Sequence, residues 1–329
     1  MIPQERLDAL KSAFPGKRIA IIGDMMLDCY IIGEVRRISP EAPVPVVEIE
    51  NEFFRFGGAA NCANNIQSLQ GVPVPLGVIG NDMYGTVFTS LMQEISLVDD
   101  GLIVDPSRPT TAKTRVIALN QHVCRIDKEQ KNSVSDETEN KILQFLEKEI
   151  TGLDGIILQD YNKGVMTPRI IAESIRIAQA HGKLITVDPK FSNFFLYKGV
   201  TVFKPNRKEA EDVLGFKIRT REDILRAGRE LQEKLEAKYV LLTLGEGGMA
   251  VFNNGEIAKI LPTKARKVAD VSGAGDTVIS TLTMALAAGA DIIEACILAN
   301  YAAGIVCGEV GIIPIELNQL FQTVSSGVV

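Results

Sequence analysis

A carboxylate that follows two closely spaced glycines at the start of an apolar helix can take a proton beside a bound anion. Asp276 holds that position in Asp270-Val271-Ser272-Gly273-Ala274-Gly275-Asp276-Thr277. Residues 278–288 are apolar, rich in alanine and free of charge and proline, so they read as a buried helix. The first N–H groups of such a helix lack intrahelical partners, and its dipole favours an anion. Gly273 and Gly275 let a phosphate approach the backbone without meeting a Cβ, and Ala274 adds little bulk. Asp276 then sits where a general base must sit if a hydroxyl is to attack a phosphoryl group. A capping aspartate behind a glycine turn is the plain alternative, and capping stabilises by about 1 kcal/mol.

Further polar residues fall at strand ends and helix starts. Asp24 and Asp28 follow the β-branched run 18–23, at the carboxyl end where open α/β sheets bind ligands. Turn chemistry would explain either one alone. Gly57 and Gly58 precede a helix expected over 59–69, with Asn61 supplying an amide. Asp160-Tyr161-Asn162-Lys163-Gly164 and Asp188-Pro189-Lys190 follow two further expected strands. Asn206 and Glu209 are spaced as a capping pair at the start of a helix, and capping alone would satisfy them. Thr243, Gly245, Gly247 and Gly248 end another strand. A dinucleotide fingerprint is rejected there, because a strand and an Asn-Asn-Gly turn follow instead of a helix. Asn300 lies within a helix of small residues expected over 292–308, where a local partner would also account for it. No Gly-x-x-x-x-Gly-Lys-Ser/Thr string is present, which excludes a P-loop.

The elements that must hold these residues alternate. From 136 onward, helices expected at 136–149, 168–180, 206–214 and 220–236 are interleaved with strands at 155–158, 184–187, 201–203 and 239–244. That order implies a parallel sheet covered on both faces. Two β-like pairs interrupt it, one at 30–33 and 44–49, the other at 111–119 and 122–127. Pro40, Pro43 and Pro45 suit edge strands away from the main sheet. The pairs are expected to form one small sheet acting as a flap; two unrelated surface hairpins are the duller alternative. No linker or repeat divides the 329 residues, so a single domain over 1–329 is expected, with a lid at about 30–51 and 111–127. A net charge of -6 argues against a nucleic-acid surface. Cys29, Cys62, Cys124, Cys296 and Cys307 show no metal-ligand spacing, and with only two histidines they read as reduced, mostly buried thiols of a cytoplasmic protein. No signal peptide or membrane span is expected.

The Gly-Ala-Gly-Asp string, the Gly23-Asp24-x-x-x-Asp28 start, Gly57-Gly58-x-x-Asn61 and Asn206-x-x-Glu209 together resemble the ribokinase-like (PfkB) carbohydrate kinases, in family order and across essentially the whole chain. The resemblance implies a ribokinase-like three-layer α/β sandwich with a mostly parallel central sheet and a small β-sheet lid, often shared across a homodimer. It implies ATP and Mg²⁺ as cofactors, with Asp276 as base and the Gly273, Ala274, Gly275 backbone as anion hole. Asp24, Asp28, Gly57, Gly58 and Asn61 become sugar ligands. Asn206 and Glu209 position magnesium and phosphates through water. Thr243, Gly245, Gly247 and Gly248 flank the nucleotide, and Asn300 lies near the adenine. Ser272 stands where the family usually has Thr, Asn162 where Gly is common, and Cys124 also departs from the pattern.

Within that family, residues 37–46 and 108–115 look like the heptose 7-phosphate kinases that feed ADP-heptose synthesis for lipopolysaccharide. Arg36, Arg37, Arg108, Arg115, Arg125 and Lys163 are then the candidate cations for a sugar phosphate. No His-x-Gly-His string is present, so a nucleotidyltransferase and a phosphatase of that sequence of reactions are expected on separate polypeptides. Another sugar or nucleoside kinase, or a non-catalytic binding regulator on the same fold, are the alternatives.

Overall fold

In the computed structural model, residues 2–119, 121–265, 271–309 and 311–327 are described; Asp270, the first residue of the glycine string, lies outside them. Helix α1 (Gln4–Ala13) leads into β1 (Arg18–Gly23), whose continuation after Asp24 is β2 (Met25–Ile38). Then come β3 (Pro45–Gly58), α2 (Ala59–Ser68), β4 (Val72–Gly80), α3 (Met83–Glu94), β5 (Leu102–Asp105), β6 (Thr111–Ala118) and β7 (Gln121–Lys128). Regular alternation follows: α4 (Asp136–Glu149), β8 (Gly155–Gln159), α5 (Pro168–Ala180), β9 (Leu184–Asp188), β10 (Val202–Phe203), α6 (Arg207–Leu214), α7 (Arg221–Leu235) and β11 (Tyr239–Thr243). The chain closes with β12 (Met249–Asn253), β13 (Glu256–Leu261), α8 (Ala274–Ala287), α9 (Ile292–Cys307) and α10 (Leu317–Ser326).

The large sheet has the order β13-β12-β11-β10-β9-β8-β1-β4-β5, parallel except where β12 and β13 pair antiparallel at one edge. Its strands are buried on both faces, and the side-chain period of two sorts them between two cores. Ile19, Ile21, Ile157 and Leu241 face the core closed by α1, α2, α3, α8, α9 and α10. Ala20, Ile22, Ile156, Leu158 and Leu242 face the one closed by α4, α5, α6 and α7. Three layers result, as expected. Fully burying one such aliphatic side chain stabilises by about 1.5–3 kcal/mol, so continuous apolar strands lock the register. Among the described residues no helix is long and apolar enough to cross a membrane. Cys29, Cys62, Cys296 and Cys307 are buried free thiols and Cys124 is an exposed one.

The second sheet, β3-β2-β6-β7, unites the two hairpins into the expected flap: β2 pairs antiparallel with β3 and parallel with β6. Its strands run further than the short apolar runs suggested. Glu34, Arg36 and Arg37 continue β2 because a ladder with solvent on one side accommodates charge. Strands β5 and β13 and helix α10 carried no expectation from sequence. The turn from β3 into α2 needs Gly58, at φ 55, where a Cβ would come within 2.6 Å of the Asp24 carbonyl oxygen.

Candidate active site

Helix α8 begins at Ala274, capped by Gly273 in a left-handed conformation (φ 78), which puts Asp276 in its first turn. Asp276 is 2% exposed. Its Oδ2 accepts from Asn61 Nδ2 at 2.8 Å, and its Oδ1 accepts from Gln159 Nε2 at 2.9 Å and from the Tyr161 hydroxyl at 2.7 Å. Burial pushes its pKa up to about 6; the Asn61 and Tyr161 bonds oppose that, the nearby Asp188 adds to it and Lys204 opposes it. The group therefore changes charge close to neutrality, which suits a general base. Asn61 is itself held by Asn65, whose amide donates to the Asn61 carbonyl (2.9 Å) and Oδ1 (3.2 Å). Asn65 Oδ1 accepts from the Thr277 hydroxyl (3.2 Å) and from the Ile315 N–H (3.1 Å), tying α2 to α8.

A second group of charges stands beside the helix start. Lys204, just past β10, pairs with Asp188 at the end of β9 (2.9 Å), and both are buried. A Cβ on Gly275 would lie 3.5 Å from Asp188 Oδ2 and 3.7 Å from Lys204 Nζ, so the glycine opens the backbone toward this pair. Lys190 pairs with Glu209, and its pKa is raised: burial works against the charge, but Asp188 and Glu209 outweigh it. Asn206 and Glu209 form a complete capping box, Oδ1 accepting from the Glu209 N–H and Oε2 from the Asn206 N–H, each at 2.8 Å. The capping expectation is met in full. Among the described residues no cluster of three acidic, His or Cys side chains could ligate a metal directly. Lys190 and Lys204 thus bring two cations to the neighbourhood of the helix start, and the carboxylates here would fit a magnesium ion only through its water shell.

On the lid side, Asp28 is paired with Arg115, whose guanidinium also lies 5.3 Å from the centre of the Tyr30 ring. Burial raises the Asp28 pKa, and Arg115, Lys113 and Arg125 hold the rise in check. Gly57 backs onto this carboxylate: a Cβ there would come within 2.2 Å of Asp28 Oδ2. Lys113, opposite Asp28 in the ladder, places Nζ 5.1 Å from the centre of the Tyr161 ring. Burial, Lys163 and Arg115 lower its pKa against Asp28 and Asp127. Lys163 pairs with Glu129 at 2.6 Å.

Several expected ligands have other partners. Asp24, 1% exposed, accepts backbone N–H groups from Tyr161 (2.8 Å), Lys163 (3.1 Å) and Val165 (3.1 Å), so it shapes the loop after β8 from within. Burial and the neighbouring Asp160 lift its pKa to about 6 against those three bonds. Arg108 donates to the carbonyls of Gln130 (3.3 Å) and Lys163. Arg36 pairs with Glu34 (2.7 Å) at the exposed end of the lid, where Arg37 is exposed too, and Arg125 pairs with Asp127 (2.8 Å). Asn300 donates to the Pro262 carbonyl at 2.7 Å, the local partner left open by its sequence. Thr243 bridges to Asn206, which brings the glycine turn 245–248 beside α6; a Cβ on Gly245 meets nothing within 4 Å, whereas one on Gly248 would strike the Leu261 carbonyl. Gln159, Tyr161, Lys113, Lys190 and Lys204 were not singled out as site residues from sequence. Four of them share a signal of position: Gln159 ends β8, Tyr161 follows it, and Lys190 and Lys204 follow β9 and β10; Lys113 lies within β6.

The chain matches the pfkB family carbohydrate kinase description over residues 17–318. It is 43% identical over 309 residues to a bifunctional protein HldE of Desulfatibacillum aliphaticivorans, covering 94% of this chain and 63% of that protein. It is 41% identical over 295 residues to a bifunctional protein HldE of Helicobacter pylori strain J99, covering 90% and 64% respectively. The chain thus spans about three fifths of the length of these curated relatives. Among solved structures, ribokinase of Arabidopsis thaliana complexed with ribose and ATP superposes with a TM-score of 0.74 at 19% identity, over 94% of this chain and 99% of that one. Phosphofructokinase-2 of Escherichia coli in complex with potassium gives 0.73 at 18%, again over 94% and 99%. These likenesses show a ribokinase-like fold. Because the family match runs from the residue before β1 into α10 and includes every side chain around Asp276, the chain belongs to the pfkB family of carbohydrate kinases.

Proposed function

We propose that this kinase phosphorylates the anomeric hydroxyl, at carbon 1, of D-glycero-β-D-manno-heptose 7-phosphate. The observation that carries the reading is Asp276 itself, a buried carboxylate with a pKa near 6 in the first turn of a glycine-capped helix, beside Lys204. When bound, ATP supplies the phosphoryl group and Mg²⁺ offsets its charge. Asp276 takes the proton of the sugar hydroxyl. The N–H groups of Gly273, Gly275 and Asp276 at the α8 start, with Lys190 and Lys204, hold charge on the transferring group, joined by that of Ala274 once it leaves the Val271 carbonyl (3.3 Å). Asn206 and Glu209 would hold the metal through water. Thr243, Gly245, Gly247 and Gly248 border the nucleotide, and Asn300 supports that wall by holding Pro262.

The phosphate on the sugar is assigned to the cations of the lid side. Lys113 and Arg115 lie two apart on β6 and so share a face, and Lys163 reaches the same region. Charge-assisted bonds of about 1.5–3 kcal/mol each would make that phosphate worth on the order of a hundredfold or more in catalytic efficiency. The test is a comparison of kcat/KM for heptose 7-phosphate with that for unphosphorylated heptose, ribose and fructose. Equal or better use of an unphosphorylated sugar would overturn the substrate and leave the kinase standing.

A further inference from the structure

Tyr161 meets more of the site than any residue expected from sequence. Its hydroxyl donates to Asp276 Oδ1 at 2.7 Å, and its backbone N–H donates to Asp24 Oδ2 at 2.8 Å. Two ammonium groups from different segments lie against its ring: Lys113 Nζ of β6 at 5.1 Å and Lys190 Nζ, after β9, at 5.3 Å. A carboxylate offers about four acceptor directions, two on each oxygen. Gln159 and Tyr161 take both on Oδ1, and Asn61 takes one on Oδ2. One direction on Oδ2 is left by the described donors.

We propose that Tyr161 is a positioning residue for phosphoryl transfer, which saturates Oδ1 of Asp276 and so directs the proton of the substrate hydroxyl to Oδ2. In that step the substrate O–H bond breaks, its proton joins Oδ2, and the freed electron pair forms the new O–P bond as the bond to the leaving ADP oxygen breaks. The ring contacts of Lys113 and Lys190 and the Asp24 anchor keep the phenol aimed. The proposal rests on the reading of Asp276 as the base. It adds that the basicity of Asp276 is set partly from Tyr161.

The groups facing Asp276 are Asn61 and Cys62 from α2, Gln159 at the end of β8 and Tyr161 after it, Asp188 at the end of β9 and Lys190 after it, and Lys204 after β10. Tyr161→Phe removes one donor to the charged form and touches none of the others. The acid limb of the kcat/KM profile should then move up by about one pH unit, so that much of the lost rate returns at alkaline pH. 3-Fluorotyrosine placed at position 161 is a stronger donor of nearly the same shape, and should move the limb down. It also decides the matter alone if the Phe variant does not fold. A rate that drops equally at every pH, or a limb unmoved in both variants, would overturn the proposal. Asp276→Asn run in parallel separates the two levels. If it retains turnover, the base assignment fails; if it is inactive while the limb ignores Tyr161, only the positioning role fails.

Discussion

A single carboxylate illustrates how much burial changes a residue. Asp276 in water would be ionised at any neutral pH, but here its pKa is about 6 because desolvation outweighs the hydrogen bonds from Asn61 and Tyr161. The base form is lost as pH falls through that value, so kcat/KM should decline below about pH 6 and level off above it. A profile flat down to pH 4.5 would contradict the assignment. Asp276→Asn keeps the shape and removes the base, so turnover should fall by about a thousandfold or more while nucleotide binding persists. A loss under about tenfold would show that another group takes the proton.

At the scale of elements, turns that follow the strands hold backbone in left-handed conformations that favour glycine. Gly245 and Gly248 bound one such turn, both at positive φ, 61 and 82. A Cβ on Gly245 meets open space, but one on Gly248 would lie 2.0 Å from the Leu261 carbonyl oxygen and 2.6 Å from the Thr263 nitrogen. Gly245→Ala should therefore cost about 1–2 kcal/mol, from the left-handed backbone alone. Gly248→Ala adds a backbone clash and should cost at least twice as much in urea unfolding. Equal effects would mean that the β13 end yields freely. Strands β2 and β6 act similarly as one unit, since their parallel pairing sets Asp28 opposite Lys113 and Tyr30 opposite Arg115.

At the scale of the molecule, the lid presents apolar surface that this chain does not cover. Ile38 and Ile49 are each 60% exposed, Val44 52% and Ile126 58%, all on or beside the small sheet. Exposed apolar side chains gathered on one small sheet are the kind of surface that a partner covers. A homodimer through the lid is the expected state, measurable by light scattering at micromolar concentration. Ile49→Asp together with Ile126→Asp should give monomers with impaired turnover. A wild-type monomer with full activity would refute the dimer.

The three-layer architecture and the position of Asp276 were legible in the sequence because both rest on local pattern. Apolar strands alternating with amphipathic helices imply a covered parallel sheet, and a glycine string before an apolar helix implies an anion site with a carboxylate in its first turn. The partners of the Asn206–Glu209 box lie three positions apart and need nothing distant. Partnership across the fold was decided elsewhere. Asn61 reaches Asp276 across 215 positions, Gln159 across 117 and Tyr161 across 115, and no local spacing encodes those meetings. For the same reason the sequence did not show that Asp24 also accepts from N–H groups 137 to 141 residues away, or that Arg108 donates to backbone carbonyls. Sequence determines which groups a chain can offer at a strand end. Only the packed structure decides whether a buried group keeps its hydrogen-bonding capacity for a ligand or must satisfy its neighbours, because an unpaired polar group inside the fold costs as much as the bond it forgoes.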